Sequence, residues 1–170
     1  MYRRFKIVQV DSNYCDYLRK FDSKVPYNAG TKILRPFIGV LFMVGDYEYF
    51  APLSSPKTKH RTLKNTLDLI KLNDGIYGVV NFNNMIPVTS NNYHEFNLNK
   101  KAQNKDEKFR IELLRNQLRW LTAHRKEVYG KSRLLYDLYK KDKLPNTVKD
   151  RCCNFPLLET KCEQYNQHIH

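Results

Sequence analysis

Two adjacent hydroxyls, Ser54 and Ser55, lie within three residues of Lys57 in the stretch Tyr49-Phe50-Ala51-Pro52-Leu53-Ser54-Ser55-Pro56-Lys57-Thr58-Lys59-His60-Arg61. Lys64 follows closely, and residues 56–71 carry five Lys and Arg against one Asp, a net +4. A strand is expected to end at Pro52, which leaves the hydroxyls at a strand end beside the densest basic cluster of the chain. Hydroxyl donors and cations held in that way can stabilise charge building up on a phosphoryl group. RNA carries its own nucleophile, the 2′-hydroxyl. Cutting it without metal requires orienting that hydroxyl, neutralising the crowded phosphate and protonating the leaving 5′-oxygen. His60 is the candidate proton carrier near neutral pH. The same composition also fits a Ser-Pro turn among solvated lysines, so the residues alone leave both readings open.

Other chemistry is thin. No Gly-rich phosphate loop, His-Glu-x-x-His or nucleophile elbow occurs. Asp46-x-Glu48 has no partners at metal-ligand spacing, so two-metal nuclease chemistry is disfavoured and neither metal nor cofactor is expected. Cys15 stands alone, Cys152 and Cys153 are adjacent, and Cys162 lies nine residues on. Without a pair of Cys-x-x-Cys halves, a zinc site is not expected, and free thiols are. The longest apolar run, Phe37 to Val44, is too short for a bilayer, and the N-terminus has no signal-peptide core. A cytoplasmic protein with no membrane partner is the expectation.

The 170 residues hold 30 Lys and Arg against 17 Asp and Glu, a net charge of +13. With 41% hydrophobic and 13% aromatic residues the chain is too apolar for a disordered polycation. A folded chain this basic favours an anionic polymer as partner, nucleic acid before membrane. Lys57, Lys59, Arg61 and Lys64, joined by Arg115 and Arg119, are the expected phosphate contacts.

Hairpins come first and helices later, which reads as one α+β domain, β-rich over 1–90 and helical over 100–168. Phe5 to Val10 is a strand, and Asp11 or Ser12 opens a short helix bearing Tyr14, Tyr17, Leu18 and Phe21. Phe37–Val44 and Tyr47–Ala51 form a hairpin around Gly45-Asp46. Thr66–Leu72 and Ile76–Phe82 form a second, and Met85–Val88 a last short strand. The Asn- and Lys-rich segment 91–106 reads as loop. A helix spans Glu107–Tyr129 and stops at Gly130. Another covers Ser132–Lys141, and Asn154 caps the last.

Five segments in this order resemble one family: Phe21-Asp22-Ser23-Lys24-Val25-Pro26, Pro36-Phe37-Ile38-Gly39-Val40-Leu41, Ala51-Pro52-Leu53-Ser54-Ser55-Pro56-Lys57, Asn83-Asn84-Met85-Ile86-Pro87-Val88 and Cys153-Asn154-Phe155-Pro156-Leu157-Leu158-Glu159. They are similar to the ToxN/AbiQ/CptN endoribonucleases, the toxins of type III toxin–antitoxin systems. The resemblance implies a strongly twisted antiparallel sheet flanked by helices, similar to the Kid/MazF toxins. It implies metal-independent cleavage to a 2′,3′-cyclic phosphate and a 5′-hydroxyl, acting on cellular and phage RNA. It implies a small pseudoknot antitoxin RNA that the toxin itself processes, with closed protein–RNA assemblies, in growth arrest and abortive phage defence or in plasmid maintenance. The family's hydroxyl pair falls on Ser54 and Ser55, its nearby lysine on Lys57, and a basic residue before the Phe-Ile-Gly strand on Arg35. Tyr27 is the candidate for a tyrosine that relatives place after Val-Pro. The competing readings are a non-catalytic RNA-binding module and a small DNA-binding regulator. Against the latter, Arg and Lys spread over several helix faces rather than one recognition face.

Overall fold

A computed structural model describes residues 3–27 and 35–168. Among them, eight strands make one open antiparallel sheet: β1 (Lys6–Val10), β2 (Phe37–Gly39), β3 (Met43–Val44), β4 (Tyr47–Ser54), β5 (Leu69–Lys71), β6 (Val79–Asn81), β7 (Ile86–Val88) and β8 (Tyr93–Glu95). The order is β5-β6-β4-β2-β1-β8, with β3 and β7 also paired to β4. Six helices accompany it: α1 (Ser12–Arg19), α2 (Thr58–Thr62), α3 (Lys105–Ala123), α4 (Arg125–Lys140), α5 (Asn146–Lys149) and α6 (Phe155–Gln167).

β4 is the spine. Its residues from Tyr49 to Leu53 are all buried, so both faces of the strand are covered. The expected first hairpin is present, turning at Gly45 with φ +56, which suits glycine in the first loop position. The strand does not end at Pro52, however, but runs on to Ser54. The reason lies in its neighbours. Glu48 to Phe50 pair with β7, Leu53 and Ser54 pair with β6, and Pro52 falls at the hand-over between them. The N–H that proline lacks would have pointed into that gap, so no ladder bond is lost. On its other side β4 stays paired to β2, Phe37 to Pro52 and Ile38 to Ala51.

The second hairpin forms between shorter strands than expected, β5 and β6, joined by a compact loop with Asn73, Asp74, Gly75 and Gly78 at positive φ. β8 arises inside the segment expected to be loop, pairing Tyr93, His94 and Glu95 with Val10, Gln9 and Val8. The long helix also divides differently. It breaks at His124, whose ring stacks 3.8 Å from Trp120, and α4 then passes straight through Gly130. Burial of Val128, Ser132, Leu135 and Tyr136 on one face outweighs the roughly 1 kcal/mol that a helical glycine costs. The cap expected at α6 is there, Asn154 Oδ1 accepting from Leu157 N–H at 3.2 Å.

Three of the five family-like segments meet as a clasp. Cys153 N–H donates to the Asn83 carbonyl at 2.8 Å, Asn154 N–H to Asp22 Oδ2 at 2.7 Å, and Asn84 Nδ2 to the Lys24 carbonyl at 2.9 Å. Glu159 accepts from both the Tyr49 and Tyr136 hydroxyls at 2.6 Å, tying β4, α4 and α6 together. All four cysteines are buried free thiols. Burial pushes Cys152 up to about 12 and Cys162 up to about 11, so neither is a thiolate near neutral pH.

Asp68 makes a second long-range tie. It is 3% exposed and accepts from Arg151 Nε at 2.8 Å, Arg151 Nη2 at 3.0 Å and Thr66 Oγ1 at 2.7 Å. Burial pushes its carboxyl up, but the Arg151 and Thr66 hydrogen bonds and the guanidinium charge outweigh it and hold the group below its ordinary value. Arg151→Met should therefore cost about 2–3 kcal/mol at pH 7, because a buried carboxylate is left half-paired. A carboxyl lowered on folding stabilises above its unfolded value of about 3.9 and loses that contribution as pH falls through the folded one. Urea unfolding at pH 7 and pH 3 should show the gap between wild type and Arg151→Met narrowing in acid. A gap that stays constant or widens would mean that the loss does not come from pairing with the ionised carboxylate.

Candidate active site

Beyond Leu53 the spine leaves the sheet and carries Ser54, Ser55 and Lys57 to the rim of an open recess of about 300 Å³. One side is made by Arg35, Pro36, Leu53, Ser54, Ser55 and Lys57, and the other by Arg110, Leu113, Leu114 and Gln117 of α3. Ser54 is half-buried and Ser55 exposed. Asn81, two residues beyond Ser54's partner Val79 on β6, donates from Nδ2 to Ser54 Oγ at 3.1 Å. Ser54 Oγ accepts that bond and keeps its own proton to donate.

The charged residues of the recess, Arg35, Lys57 and Arg110, are all cations. Burial lowers Arg35 and Arg110 from their ordinary values, yet guanidinium groups remain charged in proteins. A half-buried cation is poorly hydrated, which strengthens its pull on an anion. No Asp or Glu lines this recess. Among the described residues no cluster of three His, Cys, Asp or Glu could hold a metal ion. Two hydroxyl donors and three cations around one recess could hold a phosphodiester.

Several expected site residues stand elsewhere. His60 is 3% exposed and does not line the recess. Its Nδ1 accepts from the Lys57 backbone N–H at 3.1 Å while the His60 backbone N–H donates to the Lys57 carbonyl at 2.9 Å, closing the first turn of α2. Burial, then the charges of Lys57 and Lys59, lower its value. The ring stands in the first turn of α2 and does not open onto the recess. Lys59, Arg61 and Lys64 are exposed along and after α2, outside the recess. Arg115 is turned away, donating to the Leu98 carbonyl, and Arg119 Nη1 donates to Asn116 Oδ1 at 3.2 Å. Both line a different recess with Arg4, Phe96 and Leu98. Tyr27, half exposed, lies under the Arg19 guanidinium 4.6 Å away, and is likewise not part of the lining.

Three contributors escaped the sequence: Arg110, Asn81 and Gln117. Arg110, Leu114 and Gln117 recur at i, i+4 and i+7, one face of α3, but the apolar stripe through Ile111 and Leu118 obscured it.

The family model for the ToxN toxin of type III toxin–antitoxin systems matches residues 6–163. The chain belongs to the ToxN family. It is 32% identical over 166 residues to the endoribonuclease ToxN of Bacillus thuringiensis subsp. kurstaki, covering 95% of this chain and 84% of that one. A solved type III toxin described as selectively inhibited by a non-coding RNA pseudoknot superposes with a TM-score of 0.80 at 30% identity, over 96% of this chain and 99% of that one. AbiQ, a lactococcal anti-phage endoribonuclease, shares the fold with a TM-score of 0.82 at 24% identity, over 97% and 99%. The order of strands and helices described above is thus that of ToxN-family toxins.

Proposed function

We propose that this ToxN-family protein is the toxin of a type III system, and that it cuts RNA at the recess beyond β4 without metal. The carrying observation is the recess itself, with Ser54, Ser55, Arg35, Lys57 and Arg110 around a space that no carboxylate enters. There the 2′-oxygen bonds to phosphorus, the P–O5′ bond breaks, and the proton lost by the 2′-hydroxyl is balanced by one taken up at the 5′-oxygen. The products are a 2′,3′-cyclic phosphate and a 5′-hydroxyl. Ser54 and Ser55 donate to the phosphoryl oxygens and the cations offset their charge, which needs no ionised base of the protein to bind. A pseudoknot RNA, processed by the same cut, fills the recess as inhibitor, and the exposed row Lys59, Arg61 and Lys64 extends its phosphate contacts. No helix of the described residues is long and apolar enough to cross a membrane.

Cleavage in excess EDTA decides the matter. The expected result is an undiminished rate, with products that resist 3′-end ligation until the cyclic phosphate is opened and the remaining phosphate removed. Loss of activity on chelation, or 3′-hydroxyl products, would refute the metal-free route. Tight RNA binding with no cutting at all would leave a non-catalytic RNA-binding module instead.

A further inference from the structure

Arg35, Lys57, Arg110, Ser54 and Ser55 each bring a donor to the recess, and Gln117 brings a side-chain carbonyl that can only accept. Gln117 is 1% exposed, and its Oε1 is the buried side-chain oxygen without a hydrogen-bond partner among the described residues. The amide is not free to turn. Its Nε2 donates to the Tyr77 carbonyl at 2.7 Å, which leaves Oε1 as the unpaired end. Tyr77 precedes Gly78, and Gly78 packs so closely on the backbone of Ser54 that a Cβ there would stand 1.9 Å from the Ser54 carbonyl oxygen. One short segment therefore holds both the Gln117 amide and the hydroxyl pair.

A buried acceptor left unpaired is costly, and native proteins rarely carry one without a use. A phosphate cannot satisfy it, since phosphate oxygens only accept. RNA brings two kinds of donor, base N–H groups and the 2′-hydroxyl. The 2′-hydroxyl sits on the ribose carbon next to the one bearing the scissile phosphate, so a phosphate held at Ser54 and Ser55 carries that donor with it. We infer that Gln117 Oε1 accepts a hydrogen bond from the 2′-hydroxyl of the nucleotide being cut. Taking the hydroxyl proton aside turns an oxygen lone pair toward phosphorus, which the surrounding donors cannot do. It also lets the recess tell RNA from DNA, for which the 2′-hydroxyl is the distinguishing group. The inference rests on the RNA-cutting reading of the same recess.

Binding is the discriminating measurement, with cleavage slowed by the Ser55→Ala change. RNA strands carry a single 2′-fluoro at each nucleotide in turn, which keeps the sugar shape but removes the donor. Fluoro at the cut nucleotide should weaken binding about 10-fold, the worth of one hydrogen bond to a buried acceptor. Gln117→Met, close in volume and unable to accept, should weaken the all-hydroxyl strand by a similar factor and leave the fluoro strand unchanged. Equal weakening of both strands would mean that Gln117 serves structure alone. Sensitivity to loss of a base amino group in place of the 2′-hydroxyl would assign Oε1 to a base. If Gln117→Met does not fold, the fluoro scan alone still decides, since no loss at any nucleotide overturns the inference. Absence of any cleavage by the wild-type protein refutes the cutting reading separately, because the scan is read by binding.

Discussion

Ser55→Ala should lower RNA cleavage by on the order of 10²-fold, the loss that follows removal of one preorganised donor at a developing charge. Ser55 is exposed at the rim of the recess, one residue past the end of β4, so its hydroxyl is available to substrate. Nothing in the fold depends on it, and the change should move stability by less than about 0.5 kcal/mol. Ser54→Ala differs on both counts. Ser54 shares its oxygen with Asn81, so removing it leaves an amide N–H without its acceptor, and its effect on cleavage should be the smaller. Single-turnover cleavage and thermal unfolding of the two variants separate these cases. If Ser55→Ala cuts RNA within a few-fold of wild type, the hydroxyl pair is part of a turn and the phosphate is held by the arginines alone.

What could be read from the residues, and what could not, divides along physical lines. The hairpin around Gly45-Asp46 and the Asn154 cap are local devices, and both form where the spacing places them. β8 is three residues long, and only its pairing with β1 makes it a strand, so no local periodicity announces it. Pro52 reads as a terminator because the switch of neighbours from β7 to β6 is a property of the whole sheet. His124 breaks a helix through a side-chain stack with Trp120, while Gly130, the obvious breaker, is carried through by packing.

The site divides in the same way. Ser54, Ser55 and Lys57 are contiguous in sequence and contiguous in space, and Arg35 joins them through the pairing of β2 with β4. The far wall comes from a helix more than fifty residues away, which no motif connects to the serines. Arg115 and Arg119 are one turn apart on that helix but face a different recess from Arg110 and Gln117. Family likeness is also not site likeness. The segments around Asp22, Asn83 and Cys153 meet one another in the clasp far along the chain from Ser54, and serve to join α6 to the sheet.

The second large effect is expected at a residue with no side chain at all. Gly78→Ala should destabilise the protein by about 3 kcal/mol or more, because two costs add. Its φ of +95 is a conformation that disfavours a Cβ, typically by about 1–2 kcal/mol. The added Cβ would also stand 1.9 Å from the Ser54 carbonyl oxygen and about 3 Å from the Ser54 and Ser55 carbonyl carbons, all of them backbone. No rotamer change relieves such a contact, so the Ser54–Ser55 peptide must move. Gly45 supplies the comparison. It too has positive φ, at +56, but a Cβ there meets nothing within 4 Å, so Gly45→Ala should cost only the conformational part. Urea unfolding should rank the two variants in that order, with Gly45→Ala retaining cleavage. At temperatures where Gly78→Ala remains folded, its cleavage should still fall by on the order of 10-fold or more, since a displacement of about 1 Å at a reacting group costs at least that much. Equal destabilisation by the two changes, or full activity in folded Gly78→Ala, would mean that β6 does not set the position of the hydroxyl pair.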